Sequence, residues 1–226
     1  MNKSDRSDRS DSFDRPDKLN RKLIPPHGGY RKLRSFQCAQ LVYDGTAIFC
    51  ERFVEKRSRT HDQMVQAARS GVQNIAEASM ASATSKKTEL KLTGVARASL
   101  EELLLDYEDF LRQRGQRLWH KDSPEALTVR GKYQSDKSDR YFPLTVRGKY
   151  QSDKSDRSDA PDRSDPYSFR TASPEVAANT IICLINQASY LLGRQLKALE
   201  EQFLEEGGFT ERLYRERSKF RGDKPK

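Results

Sequence analysis

Arg69, Asn74, Glu77, Glu89 and Glu102 are polar residues set into otherwise apolar or small-residue helical patterns, and this combination can do two kinds of work. Enclosed between helices, a guanidinium and carboxylates form ion pairs that fix helix register or subunit orientation. Turned outward, the arginine can meet a phosphate. The residues around Arg69 are small or β-branched: Ala67, Ala68, Gly71, Val72, Ile75, Ala76 and Ala78. An arginine on such a face is expected to be enclosed, so a buried or interfacial network is preferred to a nucleic-acid contact. Asn74 is expected to hydrogen-bond from one helix to the next.

Other chemistry is hard to assemble. His27, His61 and His120 stand apart, with no cysteine or histidine at metal-ligand spacing and no paired Glu-x-x-His pattern of a di-iron bundle. Gly28-Gly29 and Gly207-Gly208 suit a linker and a helix stop, and no phosphate-binding loop motif is present. Glu101-Glu102, Glu200-Glu201 and Glu205-Glu206 are adjacent pairs. Neighbouring side chains diverge around a helix and do not converge on a substrate. Trp119 and His120 have the chemistry to stack on a base, although a tryptophan covering the end of a bundle is the commoner use. The expectation is therefore no catalytic residue, no metal, no cofactor and no small-molecule substrate: a non-enzyme.

The elements that must hold the polar residues are helices. Phe36, Ala39, Tyr43, Ala47, Cys50 and Val54 recur at three- and four-residue steps, with Leu41, Val42, Ile48, Phe49 and Phe53 widening the stripe, and predict a first helix ending near residue 56. A second is predicted from an N-cap at Thr60 to about residue 82. A third runs to about residue 114 before Gly115, with Leu92, Val95, Ser99, Leu103, Tyr107 and Phe110 along one line and Leu100, Leu104 and Leu111 beside it. The fourth has the clearest limits, from Ser173-Pro174-Glu175 to Gly207-Gly208, with Ile182, Ile185, Ser189, Leu192, Leu196, Leu199 and Phe203 at near-heptad spacing. Its end is expected to overhang the bundle and to offer Leu196, Leu199 and Phe203 as a partner surface. Residues 209–220 read as a short basic amphipathic helix or a frayed tail.

Charge is distributed unevenly over the 226 residues, whose formal net charge is +9. Residues 1–34 carry ten Lys/Arg against five Asp/Glu, whereas residues 35–119 carry twelve against eleven. The basic excess is mainly in the N-terminal segment, which is rich in Ser, Asp, Arg, Pro and Gly and is expected to be a disordered basic tail. Arg21, Lys22, Arg31, Lys32 and Arg34 in it are the candidate phosphate contacts. Cys38, Cys50 and Cys183 are odd in number and lie in apolar-periodic stretches, as reduced buried thiols do. Together with the lack of a leader-like N-terminus and of an uninterrupted apolar span, they suggest a cytoplasmic protein with no membrane partner.

Residues 127–140 are repeated letter for letter as residues 144–157. Two identical copies rich in Ser, Asp, Lys and Arg bury little, so the repeat is expected to be a duplication tolerated in a low-complexity connection. Alternating Leu127, Val129, Gly131 and Tyr133, with Leu144, Val146, Gly148 and Tyr150, leave two short strands as the other option.

The run from Arg69 through Asn74-Ile75-Ala76-Glu77, then Glu89, then Ser99-Leu100-Glu101-Glu102-Leu103 resembles a bacterial four-helix-bundle family. That family includes proteins encoded in ribosomal-RNA intervening sequences and the accessory variability determinant proteins of diversity-generating retroelements. The resemblance spans residues 36–111 and, more loosely, 174–203; Ala78 stands where the family usually has glycine. It implies an all-α, antiparallel up-down four-helix bundle and a ring-like homo-oligomer, a pentameric ring among the options. It also implies structured RNA or a nucleic-acid enzyme as partner in some relatives. The expected organisation is a tail over residues 1–34, a bundle over 35–206 interrupted by an insert at about 120–172, and a short basic extension over 207–226. The expected function is RNA or nucleoprotein binding by an oligomer, with a protein-interaction scaffold as the alternative.

Overall fold

The computed structural model describes residues 27–135 and 165–222, of which the side chains of 134, 135 and 219–222 are left aside. Among the described residues the regular structure is entirely helical. A 3-10 turn, Tyr30–Lys32, leads into α1 (Arg34–Phe53), α2 (Arg59–Ala81) and α3 (Lys86–Gln113). Then follow α4 (Pro124–Ser135), α5 (Pro174–Glu206) and α6 (Phe209–Gly222).

Helix limits follow local chemistry. Ser58 caps α2 by accepting from the His61 amide, so the helix starts earlier than the predicted Thr60 cap. Ser85 caps α3 through the Thr88 amide. Ser173 caps α5 through Val176, with Pro174 following it in the first turn. Gly115 at φ 62° and Gly207 at φ 74° adopt the left-handed backbone that stops α3 and α5.

The core is built by α1, α2, α3 and α5. Phe49 of α1 meets Phe53, Tyr107 and Phe110 edge to face, with ring centroids 4.8 to 5.2 Å apart. Tyr107 donates its hydroxyl to Thr46 Oγ1 at 3.1 Å, and Thr46 donates to the Val42 carbonyl at 2.7 Å, so this buried pair is satisfied. α2 and α3 approach closely at Gly71, where a Cβ would stand 2.9 Å from Leu100 Cδ2. The small residue at Gly71 thus lets α2 lie close to α3. The predicted line along α3 is buried only from Leu100 onward; before it the buried positions are Glu89, Thr93 and Ala96, while Val95 is exposed. Ala47 of the predicted α1 stripe is exposed as well, its place taken by Thr46. α5 has the length and composition to cross a membrane, yet more than half of its apolar window is buried in this fold, as befits a core helix.

Two expectations about the polar segments are corrected. Residues 27–33 belong to the folded part, because the Gly28 amide donates to the Ser79 carbonyl at 3.2 Å and Tyr30 packs on Phe36 with centroids 4.8 Å apart. The segment expected to be an insert at 120–172 is structured at both ends. Residues 127–135 of the first repeat copy are helical in α4, not a strand, and Ala126, Val129 and Tyr133 are buried. Asp165, Tyr167 and Phe169 are buried at the other end. The Asp165 carboxylate accepts from the amides of Phe169 and Arg170 at 2.9 and 2.8 Å, holding a turn in which Ser168 takes φ 58°. The outer end of the Phe169 ring packs on Gly45 of α1, where a Cβ would be 3.0 Å from it. Arg52 donates to the carbonyls of Phe169 and Ala172 and so closes that end on α1. The remaining expectations for residues 1–26, for the second repeat copy and for residues 223–226 fall outside the described residues.

Candidate assembly and nucleic-acid surfaces

α2 turns two motif charges away from the core. Arg69 and Glu77 are exposed, and neither has a hydrogen bond or ion pair to another described residue. Glu102 on α3 is exposed too. Glu89 alone is buried, at 7% exposure, with its carboxylate 3.0 Å from Lys86 Nζ. Lys86 reaches on to Gln202 Oε1 at 3.1 Å and ties the start of α3 to the end of α5. Of the buried or interfacial network expected from Arg69, Glu77, Glu89 and Glu102, only Glu89 is buried, and the four do not pair with one another in one chain. A cluster of three carboxylates and one guanidinium within a chain needs all members on one seam, and helical phase sends Arg69 and Glu77 outward from the seam that Gly71 and Leu100 occupy.

Asn74 bonds back along its own helix, to the Ser70 carbonyl at 2.9 Å and to Ser70 Oγ at 3.1 Å. Ser70 makes the crossing to α3 through Ser99 Oγ at 3.0 Å. Asn74 thus supports an interhelical hydrogen bond at one remove, and sequence reading missed Ser70. Beside this pair lies a shallow polar groove lined by Arg59, Asp62, Gln63, Gln66 and Glu102.

The outer surface of α2 and α3 also exposes Met80, Val95 and Leu105, the last 61% accessible. Their signal was legible only as a break in phase: Leu105 lies off the line of Leu100, Leu103, Leu104 and Tyr107.

The candidate phosphate contacts divide. Arg21 and Lys22 lie outside the described residues. Arg31 is exposed with its guanidinium 5.0 Å from the Tyr30 ring centre, and Lys32 is exposed. Arg34 is used internally: its guanidinium stacks 5.2 Å from the Tyr133 ring centre and lies 3.5 Å from the Tyr133 carbonyl. Lys91, Arg97, Arg194 and Lys197 are further exposed cations on α3 and α5, Arg97 lying over Gly193. Sequence reading passed over them because near-neutral segment totals do not show which cations are exposed.

The partner surface predicted at the end of α5 is reduced. Leu199 is buried at 9% and Leu196 is half-buried, because Gln202 is held by Lys86 and Arg212 of α6 donates to the Ala83 carbonyl at 3.1 Å. The end of α5 is thereby covered on one side, leaving Phe203 and Leu204 exposed. Trp119 packs at the edge of the core, its amide donating to Asn179 Oδ1 at 2.8 Å, while Asn179 Nδ2 donates to the carbonyls of Arg117 and Glu175.

Buried groups elsewhere are inert. Burial pushes the Cys38 thiol up to about 12, against smaller lowering effects of Tyr133 and Arg34, and burial pushes Cys50 up to about 12. Burial, then Glu102 and Asp109, raises the Asp106 carboxyl. Among the described residues no group of three or more His, Cys, Asp or Glu is placed to hold a metal. Compared with known proteins, the chain matches no family model, no curated protein and no solved structure.

Proposed function

We propose that this chain is a non-enzymatic helical-bundle protein that assembles into a homo-oligomer and binds structured RNA through the assembled surface. In this reading α1, α2, α3 and α5 form an antiparallel up-down bundle of the kind carried by the ribosomal-RNA intervening-sequence proteins, and the assembly is a ring. The observation that supports it best is the outward placement of Arg69 and Glu77 on α2, neither paired with another described residue, with Val95 and Leu105 exposed on the adjoining α3. A second copy laid on that face would remove the apolar side chains from water and give each charge a partner of opposite sign. Lys91, Arg97, Arg194 and Lys197, with Arg31 and Lys32, supply cations for phosphate.

The test is the mass of the full chain in solution by light scattering, with RNA binding measured over a salt series. The expected result is a multiple of 26.0 kDa and an affinity for a structured RNA that falls steeply with salt. A monomer at micromolar concentration overturns the assembly. Binding that is absent or indifferent to salt overturns the RNA reading and leaves the scaffold.

A further inference from the structure

α4 carries the first part of a fourteen-residue repeat whose second copy, residues 144–157, is identical. The first copy sits in a berth on α1 and α5. Tyr133, 7% exposed, donates its hydroxyl to the Arg34 carbonyl at 2.9 Å and lies beneath the Arg34 guanidinium. Val129 is 8% exposed, and Lys132 Nζ is 3.5 Å from the Pro166 carbonyl. Each of these side chains has its identical counterpart in the second copy: Val146, Lys149 and Tyr150. We propose that the α4 berth is a two-register site, taken by residues 127–135 in the structure and able to take residues 144–152 of the same chain in their place.

Chain connectivity permits the exchange. Pro166 adjoins Lys132, so the chain already returns to the berth at that point. With residues 144–152 seated, residues 153–164 remain to close the return, and twelve residues reach up to about 40 Å. The loop gained before residue 144 costs little, because closure entropy grows only with the logarithm of length. What favours the first register lies upstream of the repeat. Ser123 Oγ accepts from the Ala126 amide at 3.2 Å, Arg117 pairs with Glu125 at 2.7 Å, and Ala126 is buried. Arg140, Tyr141, Phe142 and Pro143 stand at the corresponding places before the second copy and reproduce none of the three. The second copy is therefore a reserve occupant, seated when the first is damaged.

Cys38 is the reporter, because it is fully buried and its thiol donates to the Leu184 carbonyl at 3.3 Å, between the two helices that form the berth. The experiment compares the parent chain with Tyr133→Ala, Tyr150→Ala and the double variant, following iodoacetamide labelling of the peptide that contains Cys38. Tyr150→Ala is expected to label at the parent rate and Tyr133→Ala within about threefold of it, while the double variant labels about tenfold faster or more, because only it lacks a tyrosine for the berth. Equal rates in Tyr133→Ala and the double variant overturn the proposal, and so does a Tyr133→Ala chain that fails to fold, since the reserve copy then did not seat. Protection in Tyr133→Ala that grows with protein concentration also overturns it, in favour of exchange between chains. The pair Val129→Ala and Val146→Ala repeats the cycle with a smaller truncation.

Discussion

The α2–α3 seam and the layer formed over α1 and α5 by α4 and residues 165–172 both bury apolar side chains, but they are held differently. At the seam a missing side chain, Gly71, receives Leu100, and Ser70 meets Ser99. In the outer layer Phe169 rests on Gly45 and is retained by Arg52 and Asp165, while Tyr133 is retained by the Arg34 backbone. The seam joins two neighbouring long helices whose packing has no room to yield. The layer joins segments about a hundred residues apart through a few bonds to carbonyls, and such a layer opens without unfolding the rest. A close-packed seam sets stability; a pinned layer sets which segment occupies a surface.

The largest test of that contrast is Leu100→Ala. Leu100 is fully buried, and Gly71 has no side chain to fill the void, so a loss of about 3–5 kcal/mol is expected from a denaturant titration. A loss under 1 kcal/mol would mean that the seam collapses as readily as the layer. Gly71→Ala against Gly45→Ala sharpens it further. The first drives a methyl into Leu100 at 2.9 Å and is expected to cost about 1–3 kcal/mol; the second meets the Phe169 ring at 3.0 Å, which can lift, and is expected to cost about 1 kcal/mol or less. Equal costs would erase the distinction.

Alkali offers a smaller effect. Cys38, under the layer, and Cys50, against Met64 of α2, are both raised from 9.0 to about 12 by burial. A raised thiol contributes stability that is complete below the unfolded value and is lost as pH climbs from 9.0 towards about 12. The unfolding midpoint should therefore be flat from pH 7 to about 8.5, and by pH 10 each thiol should account for a loss of about 1 kcal/mol. Cys38→Ala and Cys50→Ala should each flatten part of that decline. An unchanged slope in both would show that other groups govern it. The smallest effect on stability is expected at Arg69→Glu, within about 0.5 kcal/mol because the side chain is exposed and paired with no other described residue. The same variant should lower the mass in solution; if stability falls and mass does not, Arg69 serves the chain and not the assembly.

Much of this fold was legible because caps and periodicity act over a few residues. Ser173-Pro174, Gly115 and Gly207 announced their boundaries. α4 was not legible, since its residues 127–135 read equally as repeat, strand or loop and their burial depends on Arg34 and Pro166 far away in sequence. The polar motif was legible as a group, but which of its members face the core was not. Small residues at Ala67, Gly71 and Ala78 belong to the inner side of α2, and Arg69 and Glu77 to the outer side of the same helix.

By itself the sequence determined that the described chain is helical, where four long helices begin and end, and which residues are charged. These depend on hydrogen bonds within one turn and on a repeat near 3.6 residues. Only the tertiary structure decided that Glu89 is paired and buried while Arg69 and Glu77 face solvent, that Leu199 is covered, and that half of a repeat is a docked helix. Each of those outcomes depends on which neighbour stands opposite a given side of a helix, and that neighbour is brought there by packing across long stretches of chain.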